Sequence, residues 1–374
     1  MNFYYNPVRL YWDSHCIKNL KENIKELNAG KILLIKWSET ALQNEAGKEL
    51  QEALSDCEVT ELIFEKSNPD IHDLYKLYQN KRQNKPELII AVGGGSVLDI
   101  AKSLAAVLDK EYATVEELRE AIMQKNTGRP YCPWVGIPTT AGTGSEVTCW
   151  ATIWDGEKGS KLSLEDKRNY AYAAFIEPEF TMSMPMKLVV SSALDAVAHA
   201  TESYWAKAHN LVSGIYALKA ISMIMTNLEK LMENPKKEYY LAMAEASMFA
   251  GRAFSNTKTT ACHSISYPLT LHYGIPHGVA VSMLLPALLC INESKIQQKE
   301  LLLDAYGAGT MEEAGQRIIH LLDKAGISYK LSDWKVKREE LDGIAANCFT
   351  KGRMENNPVD LSKEDVIMIL EKIW

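Results

Sequence analysis

The sequence has few features of a secreted, membrane-spanning or nucleic-acid-binding protein. Its seven cysteines are scattered and form no CxxC pair, so neither a disulfide framework nor a thiolate metal site is expected. No uninterrupted apolar run reaches the roughly 18 to 20 residues that cross a bilayer, and the amino terminus lacks the pattern of a signal peptide. The formal charge of -7 argues against nucleic acid or an anionic membrane as partner. We therefore expect a cytoplasmic protein with reduced thiols that binds neither membrane nor nucleic acid.

What is present is the composition of a globular protein of about two domains. Hydrophobic residues make up 47% and charged residues 24% of the 374 residues, close to average usage. In the first half, apolar segments such as GKILLIKWSE and PELIIAVGGGS alternate with helix-like segments, which predicts β-α-β units and a parallel sheet. We predict an α/β domain at residues 1–180 and an all-helical domain at residues 181–374. The long helices of the second domain are expected at 186–208, 211–233, 237–254, 259–271 and 279–292.

Two glycine-containing loops of the first domain have the chemistry of a nucleotide site. AVGGGSVLDIAK, residues 91–102, lies where a strand ends and a helix begins. There, glycines let the backbone approach a ligand and helix amides favour phosphate. GIPTTAGTGSEVT, residues 136–148, interleaves hydroxyl side chains with glycines. Neither loop matches the dinucleotide fingerprint or the P-loop, and a purely structural turn is the alternative interpretation of each.

A candidate metal site follows in the second domain. SSALDAVAHATESYW places Asp195 and His199 four residues apart, on one face of a helix. Alone, such a pair is more often a hydrogen-bonded pair than a set of ligands, but His263 and His277 in CHSISYPLTLHYGIPHG add two further imidazoles. One carboxylate and three imidazoles suit Fe²⁺ or Zn²⁺ and leave a position open for a substrate oxygen. Such a metal polarises a carbonyl while a bound cofactor gives or takes hydride.

Four motifs together give the chain a resemblance to the iron-dependent (group III) alcohol dehydrogenase family over nearly its whole length. They are GGGSVLDIAK, PTTAGTGSEVT, DAVAHATES and HYGIPHGVAVSMLLP, in this order. The resemblance implies a Rossmann-like dinucleotide-binding domain, a helical metal-binding domain, an active site in the cleft between them, and a homodimer or larger homo-oligomer. It implies NAD(H) or NADP(H) as cofactor and Asp195, His199, His263 and His277 as metal ligands. It also implies cofactor contacts from Gly94, Gly95, Ser96, Asp99, Thr139, Thr140, Thr143, Ser145 and Lys161.

Three residues near the metal histidines depart from the family's pattern. Tyr267 stands where many members have a second histidine, and we take it as the candidate catalytic residue, with water or a cofactor hydroxyl as alternative proton donors. Lys258 precedes His263 by five residues and is followed by two threonines, a combination that suits an anion, although a solvated surface lysine is the alternative. His272, where an aromatic residue is common, is a second candidate substrate contact. These features resemble the branch that reduces small anionic aldehydes.

The sequence therefore predicts a metal-dependent NAD(P)H oxidoreductase that reduces a small anionic aldehyde. Phosphonoacetaldehyde, reduced to 2-hydroxyethylphosphonate, is the preferred substrate; sulfoacetaldehyde, reduced to isethionate, or a neutral short-chain alcohol are alternatives. The choice between NAD and NADP stays open because Trp37 and Ser38 stand near the place where NAD-selective members have an aspartate. An elimination enzyme of the related dehydroquinate-synthase-like fold and a non-enzymatic metal-binding protein are weaker hypotheses.

Overall fold

The computed structural model describes residues 3–82, 85–128 and 130–374. The chain forms two compact units, one of residues 6–140 and 145–183, the other of residues 3–5, 141–144 and 184–374. The predicted boundary at 180/181 falls three residues before the last change of unit, at 183/184. The short segment 141–144 belongs to the helical unit although it interrupts the α/β unit in sequence. No change of composition marks this segment, so the sequence-based limits of 1–180 and 181–374 did not include it.

The α/β unit is built on a parallel sheet. Its described strands are β1 (Arg9–Trp12), β2 (Lys31–Lys36), β3 (Glu58–Ile63), β4 (Leu88–Gly93), β5 (Trp134–Pro138), β6 (Trp150–Asp155), β7 (Ser160–Glu165) and β8 (Ala173–Ile176). Six of these form the parallel sheet in the order β1-β8-β5-β4-β2-β3, while β6 and β7 pair as an antiparallel hairpin. All six residues of β4 are buried, as expected for a central strand covered on both faces.

The helices of this unit precede or connect the strands. They are α1 (Leu20–Glu26), α2 (Glu45–Ala53), α3 (Ile71–Lys81), α4 (Gly95–Val107) and α5 (Val115–Met123). Since β4 pairs with β2 on one side and with β5 on the other, the strand order reverses beside β4. Ligands of open α/β sheets bind outside the carboxyl ends of the strands at such a point. The first glycine loop therefore starts at the position in the sheet where a nucleotide site is expected.

The second unit is helical, and the predicted fold class is confirmed. Its described helices are α6 (Met186–Trp205), α7 (Leu211–Glu233), α8 (Lys237–Thr257), α9 (Ala261–Tyr273), α10 (His277–Asn292), α11 (Lys299–Tyr306), α12 (Met311–Lys324), α13 (Leu341–Ala346) and α14 (Lys363–Lys372). The five long helices predicted from periodicity are α6 to α10, with ends that differ by at most three residues. The ends of α9 and α10 matter most, because α10 begins at His277 itself.

Two helices of this unit, Leu211–Glu233 and His277–Lys295, are long and apolar enough to cross a membrane by length and composition alone. Both contribute fully buried side chains to the core of the unit, Ile221 and Ile224 from the first and Leu284 and Leu288 from the second. Core helices of a globular protein pass the same test. The sequence-based expectation predicted both helices, but it considered only uninterrupted apolar runs and so did not identify them as candidate membrane spans.

Candidate active site

The four predicted metal ligands come together from three helices. Asp195 and His199 lie one turn apart on α6, His263 lies in the first turn of α9, and His277 is the first residue of α10. Asp195, His199 and His263 are 3%, 6% and 2% exposed, and His277 is half-buried. Polar side chains at this depth need partners, so the burial itself indicates a specific site.

The distances among these side chains are those of a coordination site. Asp195 Oδ1 lies 3.4 Å from His263 Nε2 and 3.8 Å from His199 Nδ1. One ligand atom from each of Asp195, His263 and His277 lies within 4.8 Å of the others. The ring of His199 lies 4.2 Å from that of His263, centroid to centroid, and the ring of Phe254 stacks on His199 at the same distance.

Hydrogen bonding leaves the centre of this cluster unsatisfied. Among the described residues, Asp195 Oδ1, His199 Nδ1 and His263 Nε2 are buried and have no hydrogen-bond partner. Each such group costs about 1–3 kcal/mol when it stays unpaired. A divalent ion removes that cost, and one carboxylate with imidazoles is a donor set that Fe²⁺ and Zn²⁺ accept. The residues therefore fit the predicted metal.

Electrostatics put Asp195 and His199 in the protonation states of metal ligands, and His263 differs from them. Burial opposes ionisation of Asp195, but the three neighbouring imidazoles outweigh it and lower the pKa of this carboxyl below its ordinary range. Burial lowers the pKa of His199 to about 3, so that this imidazole is neutral at physiological pH. For His263, burial is outweighed by Glu202 and Asp195, which raise its pKa to about 10. Without a metal this imidazole is therefore protonated, and metal binding releases a proton from it.

The sequence interpretation overlooked Glu202, a fully buried carboxylate of α6. Glu202 follows Asp195 by seven residues and His199 by three, so all three side chains lie on the same face of the helix. It accepts a short hydrogen bond from His263 Nδ1. The i, i+4, i+7 spacing of Asp195, His199 and Glu202 was the available signal.

The first glycine loop has the predicted geometry at the start of α4. Gly94 is the N-cap residue, in extended conformation, and as a glycine it provides no side-chain cap for the helix. A Cβ on Gly94 would lie 3.2 Å from the side chain of Thr140, while the backbone N–H of Thr139 donates to the carbonyl of Gly93 at 3.0 Å. The predicted cofactor residues Gly94 and Thr140 are therefore neighbours beside the amino terminus of a 13-residue helix.

Asp99 and Ser145 bind each other. Ser145 Oγ donates to Asp99 Oδ1 at 2.7 Å, and the backbone N–H of Thr152 donates to Oδ2 at 2.9 Å. Both carboxylate oxygens are thus used to fasten the second loop and the β6–β7 hairpin to α4. The observed role of Asp99 is contact with the loop, and its contact with the cofactor stays a prediction, as does that of Lys161 on β7.

Glycines of the second loop serve packing within the helical unit. A Cβ on Gly142 would lie 2.7 Å from the carbonyl oxygen of Ser192, and one on Gly144 would lie 2.5 Å from the Cα of Gly251. The sequence interpretation took this loop as a cofactor contact and gave its glycines no separate role. In the structure, Gly142 and Gly144 are needed because the loop backbone lies in close contact with α6 and α8. The predicted cofactor residue Thr143 lies between these two glycines, and its contact with the cofactor stays a prediction.

The three predicted substrate and catalytic residues have different positions. Tyr267 lies one turn after His263 on α9, and its ring is parallel to that of His277 within 9°, with centroids 6.1 Å apart. Lys258 is half-buried and is the C-cap residue that follows α8. His272 is exposed and follows His263 by nine residues, about two and a half turns, which places it on the opposite side of α9. The predicted substrate contact of His272 is therefore not supported by this geometry.

Comparisons with known proteins agree with this arrangement. The model of the iron-containing alcohol dehydrogenase family matches residues 7–178, and the C-terminal model of the Fe-containing alcohol dehydrogenase family matches residues 189–374. The chain is 28% identical to the NAD-dependent methanol dehydrogenase of Bacillus methanolicus, over 99% of each chain. It is 29% identical to the phosphonoacetaldehyde reductase of Streptomyces viridochromogenes, over 79% of this chain and 78% of that one.

Among solved structures, a similar one is the sulfoacetaldehyde reductase from Bifidobacterium kashiwanohense in complex with NAD⁺. Its TM-score is 0.90 at 25% identity, with 100% of this chain and 98% of that chain covered. The matches span the sheet unit and the helical unit, including all four predicted metal ligands. The chain therefore belongs to the iron-containing alcohol dehydrogenase family and is an oxidoreductase of alcohols and aldehydes.

Proposed function

We propose that this enzyme reduces a small anionic aldehyde with NAD(P)H, and that phosphonoacetaldehyde, reduced to 2-hydroxyethylphosphonate, is its preferred substrate. Relatives at similar identity are named for methanol and for phosphonoacetaldehyde, so identity does not select the substrate. The observation that carries the proposal is the backbone of Lys258, the cation that the sequence places five residues before His263.

Lys258 has φ 64° and ψ 179°, a conformation that glycine adopts freely and other residues adopt at a cost of about 1–3 kcal/mol. Helix C-termini are commonly closed by glycine, yet here a lysine occupies the position. Strain of this kind persists where the surrounding structure enforces it. A side chain retained against that cost favours a functional role over a merely solvated lysine.

The surroundings hold the strained residue near the metal ligands. Asn356 Nδ2 donates to the carbonyls on either side of Lys258, those of Thr257 at 2.8 Å and Thr259 at 3.2 Å. The backbone N–H of Lys258 donates to Phe254 at 2.8 Å, and Phe254 stacks on His199. Lys258 is thus fixed between a residue that contacts one metal ligand and the turn that leads to another. A cation there stabilises a phosphonate or sulfonate group.

In the proposed reaction the aldehyde carbon receives a hydride and the aldehyde oxygen receives a proton, which gives the alcohol. When bound, the metal polarises the carbonyl and the reduced nicotinamide supplies the hydride, becoming oxidised. Asp195 and the three histidines hold the metal, Lys258 binds the anionic group, and the Tyr267 hydroxyl donates the proton and regains one from water. His199 and His263 are buried, so water does not reach the metal from the side of these two ligands.

For the cofactor, we propose NAD(H), with NADPH as the alternative. The similar sulfoacetaldehyde reductase structure holds NAD⁺. At the end of β2, Lys36 is buried and pairs with Glu61 at 2.6 Å. Its charge is therefore neutralised within the sheet, which weakens the case for Lys36 as the partner of a 2′-phosphate.

The test is a screen of the metal-loaded enzyme, with Fe²⁺ or Zn²⁺ and with NADH or NADPH, against phosphonoacetaldehyde, sulfoacetaldehyde, succinic semialdehyde and butanal. Nicotinamide absorbance at steady state gives kcat/KM for each. Phosphonoacetaldehyde is expected to give the highest value, and sulfoacetaldehyde in first place would support the sulfonate alternative. Butanal in first place would contradict an anionic substrate.

Two lysine variants test whether Lys258 binds the anionic group of the substrate. Lys258→Ala is expected to raise KM for the anionic aldehydes about 10- to 100-fold, as for loss of a charged hydrogen bond, and to change KM for butanal little. Lys324→Ala removes a lysine that is paired with Glu229 and Glu233 and serves as the matched control. Equal effects of Lys258→Ala on charged and neutral aldehydes would place Lys258 outside the substrate pocket.

A further inference from the structure

Glu202 is a buried carboxylate beside the metal site that no predicted role explains. It is fully buried, and its two oxygens face different partners. Oε1 accepts from Thr260 Oγ1 at 2.8 Å, from the Cys262 N–H at 2.7 Å and from the His263 N–H at 3.4 Å. Oε2 accepts from the ring of His263 at Nδ1.

The contacts of Oε1 replace a missing helix cap. The first backbone N–H groups of a helix have no partner within the helix, and the N-cap residue of α9, Thr260, makes no side-chain cap bond. Cys262 and His263 are the second and third residues of α9, so Glu202 of α6 satisfies the N–H groups that a cap usually satisfies. A negative charge at this end of a helix is also favoured by the helix dipole.

The contact of Oε2 decides which nitrogen of His263 is available to a metal. A neutral imidazole carries one N–H, and its other nitrogen is an acceptor or a ligand. A metal-bound His263 is neutral, and with Nδ1–H donated to Glu202 its free electron pair is on Nε2. That nitrogen lies 3.4 Å from Asp195 Oδ1 and has no hydrogen-bond partner among the described residues.

We propose that Glu202 is a positioning residue that holds His263 in the Nδ1–H tautomer and fixes the start of α9, so that Nε2 is presented to the metal. A carboxylate behind a metal-bound histidine orients the ring and raises its basicity. One side chain thereby couples the α6 ligands to the α9 ligand. The inference rests on the metal site and is independent of which aldehyde is the substrate.

The first experiment measures Co²⁺ binding by visible absorbance in the full-length protein, after removal of endogenous metal. Glu202→Gln keeps an acceptor for the α9 N–H groups but presents an NH₂ donor to His263, which favours the Nε2–H tautomer. The expected result is a 10- to 100-fold weaker Co²⁺ affinity with an altered spectrum and unchanged far-UV circular dichroism. Glu313→Gln, at a remote carboxylate that also accepts a backbone N–H, is the matched control and is expected to bind Co²⁺ as the wild type does.

Co²⁺ affinity of Glu202→Gln within threefold of wild type, with an unchanged spectrum, would overturn the proposal. A second measurement does not depend on the variant folding. In the ¹⁵N-histidine-labelled, Zn²⁺-loaded wild-type protein, side-chain NMR is expected to show His263 protonated at Nδ1 and metal-bound through Nε2, with assignment from a His263→Asn variant. A proton on Nε2 of His263 in the loaded protein would equally overturn it, whatever the substrate screen gives.

Discussion

Gly144 and Gly251 approach so closely that a Cβ on Gly144 would lie 2.5 Å from the Cα of Gly251. Gly144 also has φ +55°, in the left-handed region that side chains other than glycine's disfavour. Both constraints apply to a residue of the predicted cofactor loop. The glycines of AGTG thus hold segment 141–144 against α6 and α8, whatever the loop contributes to the cofactor.

Gly144→Ala is therefore expected to destabilise the protein by more than conformational strain alone, by about 2–4 kcal/mol, because the backbone of Gly251 cannot move as a flexible side chain would. Gly159 is the matched control, since it has φ +57° and nothing lies within 4 Å of its Cβ position. Gly159→Ala is expected to cost about 1 kcal/mol. Urea denaturation of both variants measures the difference, and equal losses would mean that the contact with Gly251 relaxes without cost.

This packing role shows what sequence reasoning could and could not supply. The spacing of Asp195 and His199 puts both side chains on one face of a helix, and together with His263 and His277 it allowed a metal site to be predicted from residue types. The packing of Gly142 and Gly144 depends on which helix meets the loop, and no local pattern carries that information. Glu202 was closer to prediction, because it continues the helix face of the ligands, but only the structure identifies its partner.

The fold was predictable to a similar extent. The apolar runs predicted the strands of the α/β domain, and the helical periodicity predicted the long helices of the second domain. Both are local patterns, which a sequence shows directly. The β6–β7 hairpin was not predicted, although Leu162 and Leu164 alternate with polar residues and a turn with Gly156 and Gly159 precedes them. The predicted substrate contact of His272 stays a prediction, and the helix geometry does not support it. Sequence proximity to His263 suggested a shared pocket, whereas the helical repeat separates the two side chains.

The strain at Lys258 leads to a second prediction. Lys258→Gly relieves the disfavoured backbone conformation, whereas Lys258→Ala removes the amine and keeps the strain. We expect Lys258→Gly to be more stable than Lys258→Ala by about 1 kcal/mol, after the greater unfolded-state entropy of glycine is subtracted. Both should bind anionic aldehydes equally poorly. Unfolding midpoints and KM values test this, and a less stable glycine variant would mean that the backbone at Lys258 is unstrained.

Tyr267 supports a prediction about the chemical step. If its hydroxyl donates the proton, Tyr267→Phe should lower kcat by about 10²- to 10⁴-fold, for butanal as much as for anionic aldehydes. Tyr273→Phe, a change on the same helix, is the control. A Tyr267→Phe enzyme with normal kcat but a raised KM for anionic aldehydes alone would reassign Tyr267 to substrate binding.

Glu146 in the second loop gives the stability of the enzyme a defined pH dependence. Burial raises the pKa of this carboxyl from 4.5 to about 7, with the buried Lys102 partly opposing the shift. Between these values the folded state binds more protons than the unfolded state, so stability is expected to fall as pH rises from about 4.5 to about 7. The loss is on the order of 3 kcal/mol.

Glu146→Gln removes this titration and keeps the shape of the side chain. The variant should therefore gain stability relative to wild type as pH rises through that window, and the gain should level off above about pH 7. Denaturant unfolding at pH 5, 6, 7 and 8 measures it. A difference between the two proteins that does not change with pH would show that Glu146 titrates normally in the folded state.

If the predicted site binds a metal, the stability of the protein should depend on that metal, and this can be measured without substrate. An ion that binds only the folded protein stabilises it by about 2.7 kcal/mol at a free concentration one hundred times Kd, which corresponds to roughly 3–4 °C in Tm for a protein of this size. Removal of the metal by a chelator should lower Tm by this amount, and Zn²⁺ or Fe²⁺ should restore it.

His277→Ala, which removes the imidazole of the first residue of α10, should abolish most of this metal-dependent shift in Tm. His320→Ala, at an exposed histidine paired with Glu229, should keep it. A full metal-dependent shift in His277→Ala would exclude His277 from the ligand set, because loss of a true ligand weakens the binding that produces the shift.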